Sequence, residues 1–367
     1  MRFRYSAEEN GNLVKKALVY TQDEHKINYH DVDSHAVYIT ERLQANGFET
    51  YIVGGAVRDL ILGKRPKDFD IVTAASPSKI KKIFRNARII GRRFRLVHVF
   101  FGPKIIEVST FRSTKDGPTS NTFGTIEEDV LRRDFTLNAL FYDPLKQLVI
   151  DYVGGMKDIR KGVIRPLIAL SHIFTDDPVR IIRAIKYAAV AGFKLPFSLK
   201  RMIRKHSSLL ADVSPSRLTE EIFKIIHSSG ALEIVEALDS FRIYGYLQPK
   251  TVELFKTLPG FREEYLKTIA ALGKEDYKNL PGEALSFLIK DYLERTVDWH
   301  GSEGLAETYR SAFNLARKFV LPMNPPRVEL EHALKLIFLE HGLSVRRSRI
   351  NERHRRKPKN NAAVVTK

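Results

Sequence analysis

The chain reads as α+β: a small mixed-sheet head followed by all-helical neck and body segments. Two observations carry that reading. Between residues 48 and 153, β-branched apolar runs ("FETYIV", "DFDIVT", "RFRLVHVFF", "KIIEVSTF", "QLVIDYV") alternate with short helical stretches and glycine turns. Beyond about residue 165 the strand signal nearly vanishes. "DDPVRIIRAIKYAAVAG", "SPSRLTEEIFKIIHSSG", "ALEIVEALDSF" and "VELEHALKLIFLEHG" repeat their apolar residues at helical spacing instead.

Residues 1–30 are polar and mixed and read as an N-terminal extension. The head spans 31–165. It opens with a helix over 31–47, which Asp33 or Ser34 can cap, with Ala36, Ile39 and Leu43 on one face and Gly47 as its stop. A strand over 48–53 runs into Gly54-Gly55, and the short helix "VRDLIL" closes at Gly63. "DFDIVT" is the second strand, and "SPSKIKKIFRN" is a helix with serine and proline at its start. Residues 93–101 and 104–111 form a hairpin through Gly102-Pro103, and the polar stretch 112–125 reads as a mobile loop. "EEDVLRRDFTLNALFYD" is predicted as a helix and "QLVIDYVGG" as a strand, giving a sheet of about five strands. A helical neck (166–230) and body (231–343) follow. Residues 344–367 cannot bury enough apolar surface to fold and are predicted to be a disordered basic tail.

The formal charge of +18, with a pI near 9.8, points to a polyanionic partner. The plainer reading is a solvated surface. Removing the tail lowers the charge only to +10, so the folded part is basic too. There is no cysteine, which excludes disulfides, thiolate metal sites and cysteine nucleophiles. The first residues lack the apolar core of a secretory signal, and no apolar run reaches the roughly 18 residues a membrane span needs. The expectation is a soluble cytoplasmic protein.

The chemistry concentrates at "PKDFDIVT" (66–73). Side chains at i and i+2 of a strand point the same way, with Cα atoms about 6–7 Å apart. Asp68 and Asp70 therefore project together while Phe69 and Ile71 face the core. Two such carboxylates repel unless a cation relieves them. Hard oxygen ligands suit Mg²⁺, and two ions about 3.5–4 Å apart can clamp the attacking and leaving oxygens of a phosphoryl displacement. The bland alternative is a solvated strand end. Gly54-Gly55 would let backbone N–H groups approach a triphosphate, or would be an ordinary turn. Glu107 or Asp151 could complete the acidic cluster, and the sequence does not choose between them. Glu107 could instead pair with Arg93 or Arg95, and Asp151 could simply brace its glycine turn.

"IVGGAVRDLILGKRPKDFDIVT" (52–73), "EEDVLRRDFTLNAL" (127–140), "DYVGGMKDI" (151–159), "DDPVRIIRAIKYAAVAGF" (176–193) and "SPSRLTEEIFKII" resemble, in order, five motifs of one nucleotidyltransferase group. It comprises the bacterial poly(A) polymerases and the class II CCA-adding enzymes. The resemblance implies transfer of a nucleotide to an RNA 3′ end, with attack of the 3′-hydroxyl on the α-phosphate and loss of pyrophosphate. It implies that Asp68 and Asp70 bind two Mg²⁺ ions and that Asp151 is the third active-site carboxylate. Gly54 and Gly55, together with Arg58, Arg132, Arg133, Asp134 and Asn138, would hold the triphosphate and ribose, since arginine forks match phosphate oxygens. Otherwise Arg132 and Arg133 lie on a solvated helix face. Asp177 and Arg180 would read the base edge. A carboxylate and an arginine suit adenine or cytosine, so ATP is not separated from CTP there. Without that role they are a helix cap and a solvated arginine. Asp176 stands where the group's pattern has glutamate. "IIGRRFRLVHVFFG" (89–102) resembles a signature of the poly(A)-adding branch. The expectation is thus an adenylyltransferase using ATP on the 3′ ends of mRNA or other RNA. A CCA-adding or partial C- or A-adding tRNA enzyme is the alternative. An RNA-binding protein that has lost its chemistry is the third reading.

Overall fold

The computed structural model describes residues 2–7, 13–91, 96–113, 122–272, 280–299 and 304–344. The tail beyond 344, Arg93 and Arg95, and most of the loop expected at 112–125 lie outside the described residues. The chain divides into two units, Met1–Glu221 with Glu233–Tyr246, and Ile222–Leu232 with Leu247–Lys367.

The first unit is built on a mixed sheet of nine strands, not five. They are β1 (Arg2–Ala7), β2 (Leu13–Tyr20), β3 (Thr50–Val53), β4 (Asp70–Thr73), β5 (Ala87–Ile90), β6 (Leu96–Phe101), β7 (Lys104–Thr110), β8 (Leu140–Asp143) and β9 (Leu148–Asp151). Their order is β1-β2-β9-β8-β3-β4-β7-β6-β5. Among the described strands only β4 and β7 pair in parallel. One face buries Tyr51, Val53, Val72, Phe111, Ile126, Val130, Phe141 and Ile150 in a single apolar cluster. On the other face Ile52 and Ile71 are fully buried, as are Ala36, Ile39 and Leu43 of the helix Ser34–Ala45. That helix is capped by Asp33, which accepts from the His35 and Ala36 N–H groups.

Three expectations change. Residues 1–30 are not a separate extension, because β2 pairs with β9 and carries β1 onto the edge of the sheet. The apolar residues of β1, Phe3 and Tyr5, are exposed, so they do not announce a strand packed on a core. The strand's inward-facing residue is Arg4, which donates to Glu49 Oε1 (2.7 Å) and Tyr51 Oη (3.1 Å). Nor is "EEDVLRRDFTLNALFYD" one helix. The helix stops at Leu131, a 3₁₀ turn covers Thr136–Asn138, and Leu140–Asp143 is a strand. β8 pairs on both sides and is buried throughout, so it lacks the polar alternation that marks a half-exposed strand. β5 was missed because it is short and largely exposed.

The rest of this unit is helical. Val179–Ala191 buries Ile181, Ile182 and Ile185, and Phe197–His206 buries Leu199 and Ile203. The second unit is helical as well, with Pro249–Thr257, Phe261–Leu272, Pro281–Thr296, Leu305–Phe319 and Arg327–Glu340. Tyr292 stacks on Phe319 at 4.5 Å in its core. A Cβ on Gly282 would come within 2.7 Å of the His332 ring, so these helices approach closely only because that residue is glycine. No described helix is long and apolar enough to cross a membrane.

Candidate active site

Asp70 is the first residue of β4. Its register partners are Val53 on β3 and Glu107 on β7. Asp68 lies two residues earlier, just outside the strand, and both aspartates are exposed while Phe69 between them is buried. The alternation expected of this stretch therefore holds, although only Asp70 belongs to the strand. Asp70, Glu107, Ser109 and Arg133 line an open cleft of about 180 Å³, with Val53, Ile71 and Leu96 as its apolar part. Gly54 lies close to Asp70. Its φ of +72° suits glycine, and a Cβ there would lie 3.8 Å from Asp70 Oδ2. The main chain at the start of the next helix, Gly55–Ile61, thus runs directly past the carboxylate.

Asp151 does not join this cluster. Its carboxylate is 1% exposed and wholly engaged by the turn that follows it. Oδ1 accepts from the N–H groups of Val153 (3.1 Å), Gly154 (2.7 Å) and Gly155 (3.0 Å), and Oδ2 accepts from Met156 (3.0 Å). Those N–H groups open the helix Gly155–Lys161, so Asp151 braces the glycine turn. The acidic residue beside Asp70 is Glu107. On its other side β6 presents His98, whose Nε2 is 3.4 Å from Glu107 Oε1. His98 was not recognised from the sequence, where it is one polar residue inside an apolar strand. Among the described residues, no three His, Cys, Asp or Glu side chains form a ready-made metal cage.

Beside the two glycines, four of the five side chains expected around the triphosphate and ribose form one network. Arg133 Nη1 donates to the Asn138 carbonyl (3.1 Å), and its Nε and Nη2 donate to Asp129 Oδ2 (3.2 and 2.8 Å). Arg58 Nη1 donates to Asn138 Oδ1 (3.1 Å), and its Nε donates to Asp59 Oδ1 (2.8 Å). Asn138 Nδ2 in turn donates to Asp134 Oδ1 (3.3 Å), while Asp134 Oδ2 is 3.0 Å from Arg183 Nη2. The 3₁₀ turn makes this possible, because it brings Asn138 back over Asp134. Arg132 goes elsewhere and donates to the Ser113 carbonyl (2.8 Å).

Asp177 and Arg180 lie one turn apart, and the Arg180 N–H donates to the Asp177 carbonyl (3.2 Å). Arg180 is buried, and its Nη1 donates to the Ile173 carbonyl (3.1 Å). Burial lowers its pKa from the usual arginine value, against the opposing pull of Asp177, Asp134 and Asp176. Asp177 Oδ1 accepts from the Val179 N–H (3.1 Å), the cap expected of it. Its side-chain partner is Arg217, whose Nη2 lies 2.9 Å from both carboxylate oxygens. Arg217 sits inside "SPSRLTEEIFKII", a stretch whose sequence gave no reason to single it out. Arg183 was likewise indistinguishable from a solvated helix residue.

An open carboxylate pair on a mixed sheet, a glycine turn beside it and clustered arginines define a nucleotidyltransferase. Residues 50–165 match the family described as poly A polymerase head domain, and residues 192–254 match the probable RNA and SrmB-binding site of polymerase A. Poly(A) polymerase I of Escherichia coli O6:H1 is 38% identical over 328 residues, covering 83% of this chain and 70% of that enzyme. The CC-adding tRNA nucleotidyltransferase of Halalkalibacterium halodurans is 38% identical over 196 residues, 53% of this chain and 49% of that enzyme. The crystal structure of the Bacillus stearothermophilus CCA-adding enzyme in complex with CTP shares the fold, with a TM-score of 0.53 at 24% identity over 83% of this chain and 82% of that one. The chain belongs to the family of bacterial poly(A) polymerases and CCA-adding enzymes.

Proposed function

We propose that this protein is a template-independent adenylyltransferase that adds AMP from ATP to RNA 3′ ends and releases pyrophosphate. The observation that carries the chemistry is the placement of Asp70 beside Glu107, with Asp68 two residues away, in a cleft that also holds Arg133. Such a donor set fits magnesium, which takes one or two carboxylates and completes its shell with water and substrate phosphate oxygens. Asp68, Asp70 and Glu107 would hold it. Two bound ions would supply charge neutralisation at the attacking and leaving oxygens.

The chain's own groups do the rest. Gly54 allows its backbone to approach the phosphates, and the Arg58 and Arg133 forks hold the phosphate oxygens. Asp59, Asp129 and Asn138 pre-orient both guanidinium groups, so less ordering is left to be done on binding. Asp134 and Asn138 offer acceptors to the ribose hydroxyls. Asp177 would accept from the N6 amino group of adenine, with Arg217 fixing the plane of its carboxylate and Arg180 donating to N1. The RNA 3′-hydroxyl then attacks the α-phosphate and the pyrophosphate leaves.

The helix Phe197–His206 supplies a track for RNA. Phe197, Lys200, Arg201, Arg204 and Lys205 share one face at helical spacing, and Leu199 and Ile203 are buried on the other. Phe197 is 79% exposed. A cationic stripe with an open aromatic ring suits single-stranded RNA without sequence preference. The cytoplasm, where RNA and ATP meet, is the compartment proposed for the reaction.

A second reading, CCA or partial C addition to tRNA, is favoured by the base-edge carboxylate, which would serve cytosine N4 equally well. Incubation with each nucleotide alone, on an unstructured oligonucleotide and on tRNA lacking its CCA end, separates the two. Long A tails on the oligonucleotide are expected. CTP incorporation that stops at the tRNA end would replace this reading with the second.

A further inference from the structure

Tyr187, on the helix Val179–Ala191, sits among three cations. The Arg58 guanidinium carbon is 5.0 Å from its ring centroid, Lys186 Nζ 5.6 Å and the Arg183 guanidinium carbon 5.9 Å. Each cation has its own carboxylate: Asp59 for Arg58 (2.8 Å), Asp134 for Arg183 (3.0 Å) and Glu221 for Lys186 (2.9 Å). The tyrosine itself is fixed from two sides. Its hydroxyl accepts from Arg183 Nε and Nη2, both at 3.2 Å, and its ring meets Phe135 edge-on at 6.0 Å.

Arg58 comes from a different element, the short helix after Gly54. Its hydrogen bonds to Asp59 and Asn138 use the same N–H donors that a phosphate would claim. As a phosphate takes those donors, the hydrogen bonds no longer anchor the guanidinium. An aromatic face is different. It attracts the cation electrostatically and consumes none of its five N–H donors.

We infer that Tyr187 is a positioning residue: its ring holds the Arg58 guanidinium at the triphosphate site while leaving the donors free for phosphate. The inference rests on the nucleotide site proposed above. It couples a residue of the neck, with no phosphate contact of its own, to nucleotide affinity.

The test is a double-mutant cycle on the full chain with Tyr187→Leu, Arg58→Ala and both together, with Tyr187→Phe as the conservative variant. Equilibrium binding of ATP, the KM for ATP and for RNA, kcat and Tm are read for each. Tyr187→Leu is expected to weaken ATP binding about 3- to 10-fold, the scale of a partly desolvated cation–π contact, with the RNA KM unchanged. Tyr187→Phe keeps the ring and should recover most of that loss. In the Arg58→Ala background, Tyr187→Leu should weaken ATP binding no further. An equal penalty with and without Arg58, or a Tyr187→Phe variant as impaired as Tyr187→Leu, overturns the inference while the nucleotide site stands. A native chain that binds no ATP overturns the site reading and this inference with it. If Tyr187→Leu melts early, Tyr187→Met keeps the apolar bulk and is measured in its place.

Discussion

Asp70 and Glu107 stand side by side as register partners across β4 and β7, the one parallel strand pair among the described residues. Residues so paired project from the same face of a sheet whose strands lie about 4.8 Å apart. Two carboxylates in that position repel, and a cation bound between them, as proposed above, would relieve that repulsion. Asp70→Asn and Glu107→Gln should each lower kcat by about 10²–10³, the usual loss when one electrostatic stabiliser is removed, and leave RNA affinity nearly unchanged. In chelator, each variant should melt no lower than the native chain, because the repulsion is gone. A Glu107→Gln enzyme with native kcat would remove Glu107 from the site.

Asp151 should behave in the opposite way. Four backbone N–H groups depend on its carboxylate. Asp151→Ala leaves them without that acceptor, at a cost of about 1–3 kcal/mol per group left buried and unpaired. The expected outcome is a clear drop in Tm, with kcat per folded molecule within a few-fold of native. Collapse of kcat at an unchanged Tm would return Asp151 to the chemistry.

The difference between these two acids marks how far the sequence is legible. Asp68 and Asp70 could be found because a carboxylate pair around a buried phenylalanine reads locally. The short helices around Gly54 and Pro77 likewise announce themselves through turn and cap residues. The third carboxylate depends on which strand lies beside β4, and strand order is a non-local property. Residue 107 meets residue 70 only after a crossover through β5 and β6. β8 was hidden for a related reason, since burial on both faces erases its alternation. β1 was hidden because its inward residue is an arginine, held by Glu49 from a separate part of the chain. Arg217 and Tyr187 carry no local signal, because their roles come from partners 40 and 129 residues away.

The cationic stripe of Phe197–His206 predicts a salt-dependent defect. Each phosphate contact removed from a single-stranded complex should reduce the slope of log K against log salt by about 0.7. Replacing Lys200, Arg201 and Lys205 with alanine should therefore flatten the slope by about 2, measured by anisotropy on an unstructured RNA, with the KM for ATP unchanged. Phe197→Ala should weaken binding by about 1–3 kcal/mol at every salt concentration, because stacking carries no counterions. An unchanged slope in the triple variant would move the RNA track elsewhere.

His25 sets a pH limit on folding. It is 2% exposed, Nδ1 accepts from the Ile27 N–H (3.0 Å), and Nε2 lies 3.1 Å from the Gln147 carbonyl. That pairing needs the neutral ring with its proton on Nε2. Burial pushes its pKa below the ordinary value of 6.5, outweighing the opposite influence of the Gln147 carbonyl and Glu24. As pH falls below about 6.5 the unfolded chain takes up a proton that the folded chain refuses, so stability falls. The stabilisation is complete above about 6.5 and is lost as pH drops toward the folded pKa, at up to ~1.4 kcal/mol per pH unit. Tm should therefore be flat between pH 8 and 7 and begin to decline as pH falls below about 6.5, above the range where ordinary carboxylates titrate. His25→Asn has lower overall stability but no ring to protonate, so its Tm should decline less over the same interval. Equal slopes in the two proteins would assign the loss to another group.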